Sequence, residues 1–233
     1  MKRMTLYGLI VSLAAVALLL GGCGGSYQAR SVDIKNSLLV NPDILKEGTG
    51  DQALYRYQNP AVNLADYSAI LIDPVIISKQ AELSAGELEN YKTLANNFYV
   101  YMNQELGKYI AIASSPGPGT LRVQGAIIDA DNSKPVRTII SFTPIGIGIN
   151  LIKYTATGKQ TAVGEITSEL KITDAQTGQL IGAALDRRVG GKNPSNIYDT
   201  WSNADDAVKY WAKRLAYVVC TTKKLQGCVN PNE

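Results

Sequence analysis

The 233 residues of this sequence include no histidine. Its cysteines and carboxylates are therefore the first side chains to consider for chemistry. Without histidine the chain cannot build a Ser-His-Asp or Cys-His catalytic set or a histidine metal site. Cys220 and Cys228 form an even pair near the C-terminus, whereas Cys23 stands alone near the N-terminus. A disulfide is therefore the chemistry to consider for Cys220 and Cys228, and covalent modification is the chemistry to consider for Cys23.

Cys23 ends a segment with the order of an export signal. Lys2 and Arg3 precede an apolar run over residues 4–20, and Gly21 and Gly22 stand directly before the cysteine. Basic, apolar and small residues in this order are typical of a secretory signal. The ending Leu-Gly-Gly-Cys resembles the bacterial lipobox, which implies cleavage before Cys23, a diacylglyceryl group on its thiol and a fatty acyl chain such as palmitate on its amine. The alternative is an uncleaved membrane helix, but this run is shorter than a span of about 20 residues.

The residue after Cys23 bears on the destination of the chain. It is Gly24 and not the aspartate that retains many lipoproteins at the inner membrane, so the resemblance implies a lipid anchor in the outer membrane of a Gram-negative bacterium, facing the periplasm. Disulfides form in that compartment, and we expect one between Cys220 and Cys228. Two unpaired small thiols are the alternative.

The charge of the processed chain is close to balanced. Removal of Lys2 and Arg3 leaves 21 basic and 20 acidic residues, a net charge of +1. No run of like charges is present, so the sequence does not indicate a nucleic-acid-binding surface.

The carboxylates do not form a catalytic pattern. Glu165 and Glu169 share one face of a predicted strand about 13 to 14 Å apart, beyond the ~6.5 to 9.5 Å of an inverting glycosidase pair. Asp186 is followed by Arg187 and Arg188, and we expect ion pairs on the sheet surface there. We therefore predict no enzyme, no cofactor and no metal, while an enzyme would require a cleft with converging carboxylates such as Asp129, Asp131, Glu165 or Asp186.

Two helices are predicted to cover a sheet. Ser84 and Glu87 form a capping box, and apolar residues then recur at helical spacing over 84–109. A second helix is predicted over 203–221, with Ser202 or Asn203 as N-cap and with Asp205 and Asp206 in the first turn, where the helix dipole favours carboxylates.

Strands are predicted over the rest of the domain. They cover 67–78 with a bend at Pro74, then 110–114 and 120–131, and finally a hairpin over 161–188. If Thr173 lies opposite Gln179, Glu165 lies opposite Arg187 and Leu170 opposite Gly182. The sequence thus predicts a single α+β domain with an about five-stranded, mainly antiparallel sheet packed by two helices.

The chain divides into four predicted segments. They are a signal peptide over 1–22, a lipidated tether whose later part lies against the domain over 23–65, the α+β domain over 66–228, and a C-terminal tail over 229–233.

Residues 136–152 are rich in isoleucine but contain Pro144, Gly146 and Gly148, which disfavour a long helix or a regular central strand. One interpretation is a bent strand or packed loop within the core. The other is an exposed apolar loop that contacts another subunit, a partner or the membrane. The candidate contact residues are Ile139, Ile140, Phe142, Ile145, Ile147 and Ile149.

Several motifs together resemble one family. They are YSAILIDP at 67–74, PGPGTL at 116–121, GEITSELKITDAQTG at 164–178, Asp-Arg-Arg at 186–188, and Trp201 with Trp211-Ala212. In this order they resemble the domain-of-unknown-function 3313 family of Gram-negative bacterial lipoproteins. The resemblance implies a secreted lipoprotein with no established activity and provides no catalytic residues.

The sequence alone favours an outer-membrane-anchored periplasmic lipoprotein that acts as a non-catalytic binding or scaffolding module, with an envelope protein or a second copy as partner. The alternative is a periplasmic carrier of a small apolar ligand or lipid. A deep apolar pocket between sheet and helices would favour the carrier. A filled core with an exposed isoleucine-rich loop would favour the partner-binding module.

Overall fold

The computed structural model describes residues 26–79, 83–128, 138–141, 150–154, 165–190 and 200–232. They form an α+β domain with two long helices on one face of a mixed, mostly antiparallel sheet. Within those ranges neither helix has the combined length and apolarity that a bilayer crossing requires. The helices are α1 (Ala85–Leu106) and α2 (Thr200–Thr222). The strands are β1 (Tyr27–Gln28), β2 (Lys46–Glu47), β3 (Tyr55–Gln58), β4 (Ala69–Ile72), β5 (Ile76–Lys79), β6 (Ala111–Ala113), β7 (Thr120–Ile128), β8 (Thr138–Ser141), β9 (Glu165–Asp174) and β10 (Leu180–Val189).

The sheet has the order β2-β3-β10-β9-β7-β4-β6, with β1 also beside β10, β5 also beside β7, and β8 beside β5. The long central strands β7, β9 and β10 are antiparallel, whereas β4 and β5 run parallel to β7. The predicted α+β class with two covering helices is confirmed. The described sheet has ten strands and not about five. The N-terminal segment adds three short strands, Asp73-Pro74 divides one predicted strand into β4 and β5, and residues 138–141 add β8.

The first helix begins as its sequence indicates. Ser84 Oγ accepts a hydrogen bond from the Glu87 backbone, and the Glu87 carboxylate accepts one from the Ser84 backbone, so the predicted capping box is confirmed. The apolar stripe of α1 is buried against the sheet and α2, with Leu94, Phe98 and Met102 fully enclosed. The periodicity of the helix therefore identified its core face.

The second helix begins earlier than predicted. Thr200 is already helical, so Ser202 and Asn203 are not its N-cap, and neither Asp205 nor Asp206 lies in the first turn. Asp205 instead accepts hydrogen bonds from three side chains of other elements. The sequence pattern identified the helix correctly. Its start was predicted too late, because Ser202 and Asn203 are good capping residues that lie inside the helix.

The β9–β10 hairpin is present with a register shifted from the predicted one. Leu170 lies opposite Ala184 and Gly182 lies opposite Ile172, because Leu180 pairs with Thr173 and an irregularity follows between Leu180 and Gly182. The prediction that Leu170 faces Gly182 and that Glu165 directly faces Arg187 is therefore wrong. Thr167 lies opposite Arg187, which makes Glu165 its diagonal neighbour, and the two side chains still form an ion pair.

The core has two parts on opposite faces of the sheet. The larger part lies between the sheet and the helices and includes Trp201, Val208 and Trp211 from α2. The smaller part lies between the sheet and the N-terminal segment, where Val32 and Leu45 pack with Ala126, Ile128 and Leu185. Residues 32–45 thus cover part of the face of the sheet that the helices leave free, whereas Val62 and Leu64 pack on the helix side.

Candidate functional site

A half-open cleft of about 310 Å³ lies between α2 and the sheet. One wall comes from α2, another from β9 and β10, and the third from β3 and the turn that precedes it. Most of the lining is apolar, with Leu170, Ile172, Ile181, Leu215 and Val218 among the lining residues. Small-molecule sites are typically concave, mostly apolar and about 300 to 1,000 Å³ in volume. The cleft therefore has the form of a site for a small ligand.

The side of α2 next to its buried stripe lines this cleft. Trp211 and Leu215 belong to the buried stripe of α2, while Tyr210, Arg214 and Val218 flank that stripe and reach the cleft. These positions recur at three and four residues, so they lie along one side of the helix. The residue directly before a core position of α2 thus determines what the cleft contacts.

Polar groups gather at one end of the cleft. Asp186 on β10 lies opposite Ser168 on β9, and its carboxylate accepts a hydrogen bond from Trp211 Nε1 at 2.8 Å. Arg214 follows Trp211 by about one helical turn, and its Nη1 lies 2.8 Å from Asp51 Oδ2. Two acids, the Arg214 guanidinium and a hydroxyl therefore line the same region. A second guanidinium in the cleft lining, that of Arg56, donates hydrogen bonds to Gln52 and Gln58.

Asp186 acts as a structural acceptor. Besides Trp211, Gln28 Nε2 donates to it at 2.7 Å and the Leu54 backbone N–H at 3.2 Å. The predicted surface ion pairs of Asp186 with Arg187 and Arg188 are wrong: Arg187 pairs with Glu165, and Arg188 stacks over the Tyr210 ring and donates to Ser26. Asp186 is 5% exposed, so a buried carboxylate joins α2, β1 and the turn before β3.

Glu169 is a second buried carboxylate, on the opposite face of the sheet. It is fully buried, and it accepts hydrogen bonds from Ser37 Oγ and from the backbone N–H groups of Leu38, Leu39 and Val40, at 2.6 to 3.2 Å. Glu165, which the alternation placed on the same face, is exposed. Glu169 therefore holds the N-terminal segment on the sheet and does not form a carboxylate pair.

A third polar cluster joins the two helices to residues 150–154. Asp205 accepts hydrogen bonds from Tyr101 at 2.6 Å, Tyr154 at 2.7 Å and Asn97 at 3.0 Å. Burial and the nearby Asp205 carboxylate raise the pKa of both tyrosines well above the ordinary value. Burial, with Asp205 as neighbour, also raises the pKa of Asp206. Both phenols are therefore neutral hydrogen-bond donors at physiological pH.

The described ranges contain no group of three or more His, Cys, Asp or Glu side chains arranged to hold a metal ion.

Sequence comparison assigns the domain to a family. The family described as a protein of unknown function, DUF3313, matches residues 35–215. The chain belongs to the DUF3313 family. The matched range includes Ser37–Val40, Glu169 and Asp186, so both buried carboxylates and their partners lie within the DUF3313 domain or, for Gln28, just before it. The family that the motifs indicated is confirmed, while the lipid attachment remains a prediction.

No curated protein sequence matches this DUF3313 chain. Among solved structures, it is similar to a DUF4136 family protein from Bacteroides thetaiotaomicron, with 12% identity, a TM-score of 0.39, and coverage of 75% of this chain and 98% of that one. It is also similar to the PelC dodecamer from Paraburkholderia phytofirmans, with 11% identity, a TM-score of 0.35, and coverage of 73% and 96%. A variant of that dodecamer gives 12% identity, a TM-score of 0.33, and coverage of 73% and 95%. Likeness at this level carries no inference about function.

Part of the predicted contact segment of the DUF3313 domain can be placed. Ile139 and Ile140 lie in β8, paired with Ser78 and Ile77 of β5, so residues 138–141 form a strand. The choice between a core segment and an exposed contact loop stays a prediction. Phe142, Ile145, Ile147 and Ile149 lie outside the described residues, as do Cys23, Asp129 and Asp131.

The end of that segment is described. Leu151 is 49% exposed and Ile152 is 36% exposed. The Asn97 carboxamide holds Ile152 in place, because it donates to the Ile152 carbonyl at 3.1 Å and accepts from its N–H at 2.9 Å.

The predicted cysteine pair is joined in the structure. Cys220, at the end of α2, forms a disulfide with Cys228, with their Cα atoms 5.6 Å apart. The bond ties the segment that follows α2 to the end of that helix, beyond the range that the DUF3313 family matches.

Sequence reasoning missed the residues that form the cleft. Ser168 and Asp51 belong to no local sequence motif for ligand binding, and neither does Arg214. Its side chain is only 17% exposed and crosses to Asp51. One available signal was its place three residues after Trp211, on the border of the buried stripe.

Proposed function

We propose that the chain is a lipid-anchored envelope protein, exported by residues 1–22, acylated on Cys23 and held at the periplasmic side of the outer membrane, and that its folded domain is a non-catalytic binding module. The export signal and the Cys23 position support the anchor. The disulfide suits an oxidising compartment. An anchored module acts by holding its ligand or partner near the membrane surface.

The cleft between α2 and the sheet is the observation that carries the binding role. The sequence offered such a pocket as the feature favouring a carrier of a small apolar ligand over a partner-binding module. The cleft is mostly apolar, it is open on one side, and its volume is about 310 Å³. We therefore favour binding of a small, largely apolar ligand as the role of the domain.

A non-catalytic role is supported by how the carboxylates are used. Glu169 accepts four hydrogen bonds and Asp186 accepts three, each from groups that hold structural elements together. Since the chain has no histidine, a carboxylate free to meet a substrate would be the first candidate for a general base. These two buried carboxylates already have structural roles.

Binding in the cleft is tested with octanol as probe. The full chain in lipid nanodiscs is dialysed against radiolabelled octanol, with protein-free nanodiscs as blank. We expect saturable binding that Ala184→Phe abolishes, because Ala184 lines the cleft. The matched control is Ala111→Phe, at an exposed alanine of β6, which should bind as the wild type does. Equal loss in both variants, or no saturable binding to the wild type, would refute the proposal.

Lipid attachment is tested by growth of cells with radiolabelled palmitate. The wild type should be labelled, Cys23→Ser should not, and Cys228→Ser should keep its label. A secreted soluble form with an unmodified Cys23 thiol would contradict the anchor.

Contact with a partner through 136–152 is a second candidate function, favoured by the exposed Leu151 and Ile152 and by the hydrogen bonds that fix Ile152. A photo-crosslinking residue at position 151 in intact cells should then give a discrete adduct. The control position is Val229, which is 70% exposed on the C-terminal tail. The same adducts from both positions would show non-specific exposure, and light scattering of the purified protein separates self-association from a different partner.

A further inference from the structure

The polar end of the cleft contains an arginine with spare hydrogen-bonding capacity. The Arg214 side chain lines the cleft, and among the described residues its one ion-pair partner is Asp51. Although Nη1 lies 2.8 Å from Asp51 Oδ2, this nitrogen is buried and has no aligned hydrogen-bond acceptor within the described part of the chain. A guanidinium presents five N–H donors in a planar fork that fits a carboxylate. Arg214 is thus only partly satisfied.

The partner of Arg214 is easily replaced. Asp51 lies in the turn between β2 and β3, next to Gly50, which has a φ of +62°. Its side chain is 47% exposed, so water would solvate the carboxylate if it left the arginine. The Asp51 carboxylate therefore occupies Arg214 at this end of the cleft, and a ligand carboxylate can displace it from the arginine.

A buried hydroxyl provides a second, independent sign of a ligand. Ser168 lines the cleft and is 3% exposed, yet its Oγ has no hydrogen-bond partner among the described residues. Buried side-chain oxygens in native proteins are rarely left without a partner. Because Ser168 lies opposite Asp186, which binds Trp211, the hydroxyl sits at the same end of the cleft as Arg214.

The other end of the cleft is lined by the apolar side chains of Leu64, Ile172, Ile181 and Val218, with Gln58 and Thr222 as its polar residues. Lys223, just after α2, donates to the Tyr67 carbonyl, so the C-terminal end of the helix lies near the short helix at Leu64–Asp66. From Trp211 to Val218 the helix rises about 10 Å, and from Asp186 to Gly182 the strand extends about 13 Å. The cleft thus has a polar end, an apolar end and a length of about 10 to 13 Å between them.

We propose that the cleft binds a medium-chain carboxylate whose head replaces Asp51 on Arg214 and meets Ser168, and whose alkyl chain lies along Ile172, Leu215 and Val218. This ligand class rests on the proposed function of the cleft. At about 30 Å³ for each water-sized group, the cleft holds about ten non-hydrogen atoms. Octanoate has ten such atoms and an extended length that fits the cleft.

The proposal is tested by equilibrium dialysis of the full chain in nanodiscs against octanoate and octanol, with protein-free nanodiscs as blank. Wild-type protein should bind octanoate about tenfold or more tightly than octanol, since charge-assisted hydrogen bonds contribute this much. Affinity should rise about fourfold per methylene from butyrate to octanoate and then level off.

Three variants separate head recognition from the apolar contacts. Arg214→Gln should weaken octanoate about tenfold and leave octanol unchanged, while Asp51→Asn should tighten octanoate several-fold because it removes the competing carboxylate. Ser168→Ala should weaken octanoate without lowering the urea midpoint, because the hydroxyl has no partner in the folded protein. The control is Arg187→Gln, whose arginine lies on β10 outside the cleft, and it should change neither ligand.

The outcomes distinguish the two levels of the proposal. Equal affinity for octanol and octanoate, with no effect of Arg214→Gln or Asp51→Asn, would overturn the carboxylate and leave the apolar binding role intact. Saturable binding of neither probe to the wild type would overturn the binding role itself.

Discussion

The two faces of the sheet are covered by different means. On one face, α1 and α2 lie side by side and bury a continuous set of apolar side chains, including Leu94, Phe98 and Val208. On the other, an irregular segment with short turns of helix and two-residue strands covers a smaller apolar cluster. At the centre of that second face is the fully buried Glu169.

The difference follows from how the backbone hydrogen-bonding groups of each covering layer find their partners. A helix pairs its N–H and C=O groups internally, so it needs only an apolar stripe to pack on a sheet. An irregular segment leaves backbone groups unpaired, and burying them without partners is unfavourable. Three consecutive N–H groups, of Leu38, Leu39 and Val40, are satisfied by one carboxylate from the sheet. A buried acid is therefore what allows a segment without regular structure to serve as a layer.

The largest expected effect tests the apolar face. Phe98 is fully buried between α1, α2 and the sheet, so Phe98→Ala should lower the free energy of unfolding by about 3 to 5 kcal/mol. Because both helices share this core, we expect one cooperative transition in urea at a lower midpoint. The control is Gln104→Ala on the exposed side of α1, which should lie within about 0.5 kcal/mol of wild type. Loss of the N-terminal segment before the helices would contradict the assignment of this core as the central one.

The next effect tests the polar face. Glu169→Gln keeps the shape of the side chain but turns an NH₂ group toward N–H donors, so it should lower the free energy of unfolding by about 2 to 3 kcal/mol. The change should be local, with new proteolytic cleavage between residues 37 and 58 under native conditions.

Glu165→Gln is the matched control for Glu169→Gln, because it makes the same change on the same strand and face at an exposed position. It should leave the cleavage pattern unchanged. Equal effects of the two variants would show that the contacts of Glu169 do not hold the segment.

The contrast between the faces also explains what the sequence could predict. The period of 3.6 residues and the capping box identified α1, because helix formation and its apolar face are both local properties. Alternation along β9 placed Glu165 and Glu169 on one face of the strand, and that placement is correct, because Ile166, Leu170 and Ile172 pack on the opposite, helix-side face. Alternation could not show that the second face is covered, since the cover comes from residues about 130 positions earlier with no period of their own.

The candidate site was unpredictable for a related reason. Its polar end combines Asp51, Ser168, Asp186 and Arg214, which come from a turn, two strands and a helix and share no local motif. The cysteine pair was predictable, because an even number of remaining cysteines and a predicted oxidising compartment favour a disulfide without knowledge of the fold. The hairpin turn was located correctly. The pairing register of its two strands was not, because it depends on an irregularity after Leu180 that no sequence pattern indicates.

A smaller effect concerns the hydrogen bonds that hold residues 150–154 on the helices. Tyr154 donates to Asp205 and stacks on Trp201, so Tyr154→Phe should lower the free energy of unfolding by about 1 kcal/mol at neutral pH. If polar attachment is as local here as around Glu169, the loss should increase proteolysis near residues 150–154 and leave the segment 37–58 protected. A general increase in cleavage would show that the two faces are coupled.

The same tyrosine predicts a pH dependence. Burial, and then the charge of Asp205, raises the pKa of Tyr154 above its ordinary value of 10.0. The unfolded chain releases this proton near pH 10 while the folded chain retains it, so the stabilisation is complete below pH 10 and is lost as the pH rises above it. Urea midpoints measured from pH 8 to pH 11 should therefore fall above pH 10, and they should fall less in Tyr154→Phe. An equal fall in both proteins would contradict a buried phenol.

The smallest effect separates burial from charge on β9. Glu165 and Glu169 lie on the same face four residues apart, but Glu165 is exposed and pairs with Arg187. Exposed ion pairs and cross-strand pairs contribute about 0.2 to 1 kcal/mol, and less at high salt. A double-mutant cycle with Glu165→Gln and Arg187→Gln should give a coupling energy in this range at low salt that decreases in 1 M NaCl. The loss in Glu169→Gln should be unchanged by the same salt, because solvent ions do not reach a fully buried carboxylate. Equal salt dependence of the two effects would mean that solvent ions reach Glu169, and it would contradict the full burial of this carboxylate beneath the irregular segment.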